Sequence, residues 1–349
     1  MPPIFIITRE KGEVPVDTIL LEHGNGGRLM DKLIDDYFIK YFRNEFLIEK
    51  DDSVVIPEIS GKAVVSTDSF VVNPLFFPGG DIGKLSVCGT INDLAMSGAR
   101  PLYLTAGFIL EEGFKLRELE EIIKSMADEA QKAKVEIVAG DTKIVEKGKG
   151  DRIYINTTGI GVIDNLKTAV TRNIQKGDKI IINGNIGEHG LTILKERQGL
   201  DFNLALKSDC CALYDLIRNI LNNNNGIKFL RDPTRGGIAA VLNEIALRFN
   251  LGIEISEEKI PLRQEVNSLC RILGLDPLYL ANEGKVILIA DGTESERIVE
   301  TMRRHQYGKQ ARIIGTITGN EEAQVYMKTR IGGKRVIKWV TGEILPRLC

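Results

Sequence analysis

The sequence lacks any apolar run near the roughly 20 residues that span a bilayer, so no membrane segment is expected in the 349 residues. The start, MPPIFIITREKGE, has too short an apolar stretch and no small-residue cleavage pattern, and no signal peptide is read there. Net charge is nearly absent at −2, with Lys and Arg spread along the chain. Neither nucleic acid nor a membrane surface is therefore expected as a partner through bulk electrostatics. There is no CxxC, and the three histidines, His23, His189 and His305, are far apart, so no zinc-ligand spacing exists. The five cysteines, Cys88, Cys210, Cys211, Cys270 and Cys349, form no disulfide framework, which points to a reducing compartment and hence the cytoplasm. A Walker A pattern and a well-formed GxGxxG are also missing.

What is present is an ordinary globular composition, 43% hydrophobic and 27% charged. Its length is more than one core usually serves, so two domains are expected. Residues 16–23 read as a strand, GNGG (24–27) as a tight turn, and 28–42 as a helix from its apolar spacing. KAVVSTDSFVV (62–72) is β-rich and runs into the loop NPLFFPGG. Residues 81–99 form a helix dense in small residues, suited to close packing. Strands at 101–110, 135–141 and 152–163 surround an amphipathic helix at 115–133, with 135–141 running into a loop. A composition break at 164–178 marks the domain boundary. Beyond it, strands are expected at 179–183, 285–291, 311–317 and 323–327, with helices around 211–222 and 236–249. Strands are often consecutive, which favours α+β over a doubly wound parallel sheet. The expected division is an extension at 1–16, domains at 17–165 and 166–338, and a tail at 339–349.

Acidic and amide groups gather at strand ends and turns of the first half: Asp51, Asp52, Asp68, Asn92, Asp93 and Asp141. Carboxylates on separate elements that converge can hold Mg²⁺ against a nucleotide's phosphates. Taken singly, each is equally a helix cap or an Asx turn. Gly24, Asn25, Gly26 and Gly27 precede a helix, where backbone N–H groups suit phosphate or simply make a turn. GNIGEHG (184–190) and RDPTRGG (231–237) are also glycine-rich helix entries, and Arg235 adds a charge for phosphate or carboxylate. Cys88 and Cys210-Cys211 read as packing. The chain closes on Pro346-Arg347-Leu348-Cys349. Pro346 disfavours a helix there, so an arm is expected whose thiol can be covalently loaded; an exposed cysteine without a role is the alternative.

The segments HGNGGRLMDKLI, DDSVVI, STDSFVVNPLFFPGGDIGKLSVCGTINDLAMSGARP, GDTKIVEKG, INTTGIG, DPTRGGIAAVLNEIA, ANEGKV and the closing PRLC resemble the HypE family of [NiFe]-hydrogenase maturation factors, the carbamoyl dehydratases. The Asp/Asn motifs resemble more widely the ATP-binding superfamily of aminoimidazole ribonucleotide synthetase. The resemblance runs from about residue 17 to Cys349. Leu348 stands where relatives often have Ile, and Glu188 where they often have Asp.

The resemblance implies a two-domain α+β fold and a homodimer whose N-terminal sheets form a shared barrel near bound ATP and Mg²⁺. It implies a carbamoyltransferase partner (HypF) that loads Cys349, and a HypC–HypD complex that accepts cyanide. Cys349, Lys143 and Glu283 are implied as catalytic, with the proton-handling order between Lys143 and Glu283 open. Gly24, Asn25, Gly26, Gly27, Asp52, Asp68, Asn92, Asp93 and Asp141 are implied to bind nucleotide, with Asp51, Asp52, Asp68, Asp93 and Asp141 meeting Mg²⁺ through ATP. Two other readings stand beside it. One is a kinase or synthetase acting on a free substrate, as in thiamine-monophosphate kinase or selenophosphate synthetase. The other is an ATP-responsive binding protein whose tail docks a partner without chemistry.

Overall fold

The computed structural model describes residues 17–163, 173–200, 205–319 and 323–339. The expected extension at 1–16, the boundary at 165/166 and, of the tail at 339–349, all but Trp339 lie outside these described residues, Cys349 included. The segment read as a strand at 16–23 makes only an isolated bridge, Thr18 to Lys115, before a 3-10 helix at Leu21–Gly24. The cause is local. The Leu20 N–H donates to His23 Nδ1 at 3.0 Å, so a side chain takes the donor that a ladder would need. Residues 28–42 are helical as the spacing predicts, but α1 (Arg28–Leu33) and α2 (Lys40–Phe42) flank a π-helical stretch, Ile34–Ile39. A short α3 (Glu45–Ile48) follows.

β1 (Lys62–Phe70) leads through a small hairpin, β2 (Phe76–Phe77) and β3 (Gly80–Asp81), into α4 (Ile82–Met96). Asp81 caps α4, accepting from Gly83 N at 2.7 Å and Lys84 N at 3.1 Å. β4 (Arg100–Glu111), α5 (Leu116–Ala133), β5 (Glu136–Val145) and β6 (Ile153–Ile163) complete the first half. Its sheet has the order β1-β6-β4-β5, antiparallel except where β4 meets β5. α4 and α5 cover one face. The small residues of α4 permit this: a Cβ on Gly89 would sit 2.9 Å from the Phe70 ring, and one on Gly159 of β6 2.8 Å from Leu94. The other face carries rows such as Val65, Ile160 and Tyr103, and Ser69, Asn156, Gly107 and Asp141. Val65 is 66% exposed there.

The second half contains β7 (Lys179–Ile182), α6 (Glu188–Arg197), α7 (Tyr214–Asn223), β8 (Ile227–Arg231), α8 (Gly237–Phe249) and β9 (Gly252–Ser256). It continues with α9 (Gln264–Leu273), β10 (Ile287–Ala290), α10 (Ser295–Arg303), β11 (Arg312–Gly319), β12 (Val325–Lys328) and β13 (Lys334–Val336). The sheet order is β13-β12-β9-β11-β7-β10-β8, antiparallel except for β12 with β9. This is the α+β architecture expected. β8, β9, α9, α10 and β13 were not foreseen; the three strands have only three to five residues each. No helix among the described residues is long and apolar enough to cross a membrane.

Candidate functional site

Four carboxylates meet in one small pocket, about 50 Å³, between the two halves: Asp68 from β1, Asp93 from α4, Asp232 just after β8, and Glu283 before β10. Arg235 also lines it. Alternation along β1 turns Ser66 and Asp68 toward α4, and Ser66 Oγ donates to Asp93 Oδ2 at 2.5 Å. The Asp232 loop is set by Gly236 and Gly237, whose φ angles are 74° and 60°. A Cβ on Gly237 would also lie 2.5 Å from the carbonyls of Leu278 and Leu280, so only glycine fits.

The crowding shows in the protonation of these groups. Burial raises the Asp68 carboxyl, Asp93 adds to it, and Arg235 opposes. Asp232 is pushed up to about 7, by burial first and by Asp93 second. Glu283 is held well above the usual carboxylate range by burial, then by Asp209, Asp232 and Asp68. Glu283 is 7% exposed. Like charges packed together in a poorly solvated site hold protons until a cation replaces them. Oxygen donors of this kind suit Mg²⁺, which usually takes one or two carboxylates and keeps waters and phosphate oxygens as its other ligands. Among the described residues no three His, Cys, Asp or Glu side chains are placed to cage a metal unaided.

Glu283 is fixed through its backbone. Its N–H donates to Asp209 Oδ1 at 3.2 Å, and its carbonyl accepts from Asn92 Nδ2 at 3.3 Å. Asp209 also accepts from Gly284 N at 3.1 Å and from Lys285 Nζ at 2.7 Å. Lys285 lies 3.9 Å from Glu188, which Arg263 approaches at 3.3 Å. Asn282 ties the same segment to the Asp232 loop, its Nδ2 donating to Pro233 O at 3.1 Å.

Several expected site residues lie elsewhere. Asn92, expected to bind nucleotide, is 2% exposed and fully engaged in tying the halves together. It donates to Cys211 O at 3.1 Å and Glu283 O, and accepts from Leu213 N at 2.7 Å, so both ends of its amide are engaged by the protein. The loop expected after residue 141 is strand: β5 continues to Val145, pairing Asp141 with Gly107 and Lys143 with Ile109. Asp141 and Lys143 thus point from the uncovered face, 3.5 Å apart. Asp68 sits on β1 at the opposite edge, about 14 Å away across three strand spacings, and faces the helices. One chain therefore does not bring Lys143 to Glu283, nor the five aspartates to one metal. Asp51 and Asp52 line a second cleft of about 200 Å³ with Lys50, Ser53, Asp141 and Thr142. Gly24, Asn25, Gly26 and Gly27 form an exposed turn packed on that edge, where a Cβ on Gly24 would lie 2.9 Å from Ile144. Cys88, Cys210, Cys211 and Cys270 are buried free thiols.

Asp232 was missed among the candidate ligands, although RDPTRGG was singled out. Its signal is the one that marked the others, an aspartate at a strand end. Asp209 carried no motif signal of its own, and Lys285, though inside ANEGKV, was given no role.

Residues 50–163 match the N-terminal domain of AIR synthase related proteins, and residues 175–328 the C-terminal domain. The carbamoyl dehydratase HypE of Azotobacter vinelandii is 48% identical over 332 residues, 95% of this chain and 97% of that protein. The fold superposes on a crystal structure of hydrogenase maturation protein HypE in complex with ATP with a TM-score of 0.90, at 43% identity, covering 95% of this chain and 99% of that one. A HypE–HypF complex structure matches with a TM-score of 0.77 at 46% identity, covering 89% and 99%. With both domain models in order and near-half identity over almost its whole length, the chain belongs to the carbamoyl dehydratase HypE family.

Proposed function

We propose that this chain converts an S-carbamoyl group on Cys349 into an S-cyano group, using ATP, and so supplies cyanide ligands for the iron of [NiFe]-hydrogenase. The observation that carries this reading is the convergence of Asp68, Asp93, Asp232 and Glu283 on one pocket, in a chain of this family. Support for ATP comes from the relative solved with that nucleotide.

A thiocarbamate, R–S–C(=O)–NH₂, must lose its oxygen and two N–H protons to become R–S–C≡N. Oxygen leaves poorly as water in an aqueous cell, and well as phosphate. The thiocarbamate oxygen bonds to the γ-phosphorus as the bond to ADP breaks, and one N–H proton departs. The C–O bond then breaks, phosphate leaves, and loss of the second proton completes the triple bond. Asp68, Asp93 and Asp232 are the residues to hold Mg²⁺, whose charge would offset that of the phosphates. Glu283, buried among other carboxylates, is a stronger base than a solvated carboxylate once ionised, and it takes a proton from the nitrogen. Arg235 lies at the same pocket to meet the transferred phosphoryl group.

Lys143 has its place in a homodimer closed through the uncovered face of the first sheet. That face presents Val65 and Ile109, 66% and 43% exposed, together with Asp141 and Lys143. In such an assembly Lys143 of one copy serves the pocket of the other. Mixing Lys143→Ala with Glu283→Gln chains should then restore part of the activity that neither has alone; no recovery in verified mixed dimers would remove Lys143 from that role. HypF is the proposed donor of the carbamoyl group, since a relative is solved with it. A HypC–HypD complex is the proposed acceptor, and the cytoplasm the proposed compartment.

The test is intact-protein mass spectrometry with peptide mapping after incubation with HypF, carbamoyl phosphate and ATP. A carbamoyl adduct on Cys349 should lose the mass of water only with Mg-ATP. An unmodified Cys349 beside a demonstrably active transferase would refute the reading.

A further inference from the structure

We infer that Asp209, neutralised by Lys285, is the positioning residue that aims Glu283 into the pocket; this rests on Glu283 being the base proposed above. The geometry is specific. Asp209 comes from the segment before α7, 74 residues away from Glu283 in sequence. Its two oxygens receive three consecutive residues: Glu283 N at 3.2 Å, Gly284 N at 3.1 Å and Lys285 Nζ at 2.7 Å. The approach is so close that a Cβ on Gly284 would collide with the Asp209 carbonyl and lie 2.7 Å from Cys211 Sγ. No described side chain hydrogen-bonds the Glu283 carboxylate. Its direction is therefore set by its backbone, which Asp209 holds at the N–H while Asn92 and Cys211 hold the carbonyl, at 3.3 and 3.5 Å.

The pair has the right charge for this task. The side chains of Lys285 and Asp209 are 8% and 3% exposed. Asp209→Asn would present an amide N–H to one of the two backbone donors, and that contact would be lost. A lone carboxylate would leave an uncompensated charge beside Glu283. Asp209 with Lys285 gives two good acceptors and a nearly neutral pair. Glu188 and Arg263 continue the alternation of charge outward, with His189, held to Ser208 Oγ at 2.8 Å, beside them. The other titratable or charged groups around Glu283 are Asp68, Asp93, Asp232 and Arg235 in the pocket and the buried Cys88 thiol.

The experiment follows S-cyano formation on carbamoylated full-length protein as a function of pH, with Mg-ATP binding measured separately. Asp209→Asn should slow dehydration by roughly 100-fold, as expected for a misplaced reacting group, while Mg-ATP binds as before. Its acid limb should move to lower pH, because a negative neighbour of Glu283 is gone. Lys285→Met keeps both backbone donors but leaves the Asp209 charge uncompensated, so a smaller loss of rate than in Asp209→Asn is expected, with the acid limb at higher pH. A purely structural pair would lose folding stability or Mg-ATP binding along with the rate, whereas a positioning pair loses the dehydration rate alone. The double variant Asp209→Asn/Lys285→Met removes both charges together and guards against misfolding of the singles; it should fold, bind Mg-ATP and remain slow. A wild-type rate and pH profile in the double variant would overturn the inference. Glu283→Gln separates the two claims: if that variant dehydrates normally, the assignment of the base fails, whatever Asp209 does.

Discussion

Two groups of buried carboxylates lie side by side and behave in opposite ways. Asp209 is drawn below the usual carboxylate range: burial pushes it up, but Lys285 and the hydrogen bonds around it outweigh burial. Among the described residues Asp232 makes no such ion pair, and burial with Asp93 carries it up to about 7 against a partial opposing pull from Arg231. The first arrangement is complete and stabilises the fold. The second leaves like charges facing one another around the pocket, which is why a cation is proposed there. An aspartate in a site is thus informative when its charge is unmatched, since a matched one already has a structural task.

Removing the unmatched member should have the largest effect. Asp232→Asn is expected to weaken Mg-ATP binding by about 10- to 100-fold, read by calorimetry, a scale typical of lost support at a metal site. Unchanged affinity would erase the contrast drawn above. On the matched side, Gly284→Ala forces a methyl into the Asp209 backbone, and a loss of about 3 kcal/mol in chemical denaturation is expected. Asn92→Ala leaves the Leu213 N–H and the Glu283 carbonyl without their side-chain partner, for about 1–3 kcal/mol.

The smallest effect is the pH trend of the ligand-free protein. Asp232 binds its proton more tightly folded than unfolded. Its contribution is therefore fully present below about pH 4, the unfolded value, and is lost as pH rises through about 7. The melting temperature should fall between pH 6 and 8, and Mg-ATP should raise it more at pH 8, where no proton competes. Asp209 has the reverse sign: its stabilisation is present above the unfolded value and is lost as acid carries pH through its depressed one. A shallower fall from pH 6 to 8 in Asp232→Asn would attribute the difference to that residue, the remainder belonging to Glu283, whose carboxyl is raised as well.

Much of this was legible beforehand. The small residues of 81–99 announced a tightly packed helix, and 13 of the 15 residues of α4 are buried. Asp68 and Asp93 were recognisable as chemistry because they stand where a strand and a helix end near a loop. Asn92 was not, since an amide looks the same whether it meets a ligand or a backbone; its partner Cys211 is 119 residues away. Lys143 was expected beyond a loop that follows the strand 135–141, whereas pairing with β4 carries that strand on to Val145. The helices α9 and α10 did carry apolar spacing, Val266, Leu269 and Cys270, then Ile298, Val299 and Met302, now buried. That signal was there and was passed over. The matching of Asp209 with Lys285 spans 76 residues, and no local pattern encodes it.

The pocket takes Asp68 and Asp93 from one half of the chain and Asp232 and Glu283 from the other. Asn92 fastens the two halves beside it, gripping the carbonyl of Glu283 itself. Chemical competence is thereby made to report on assembly. On the proposed reading, a chain whose halves have each folded but have not yet met holds two pairs of acids and no complete pocket.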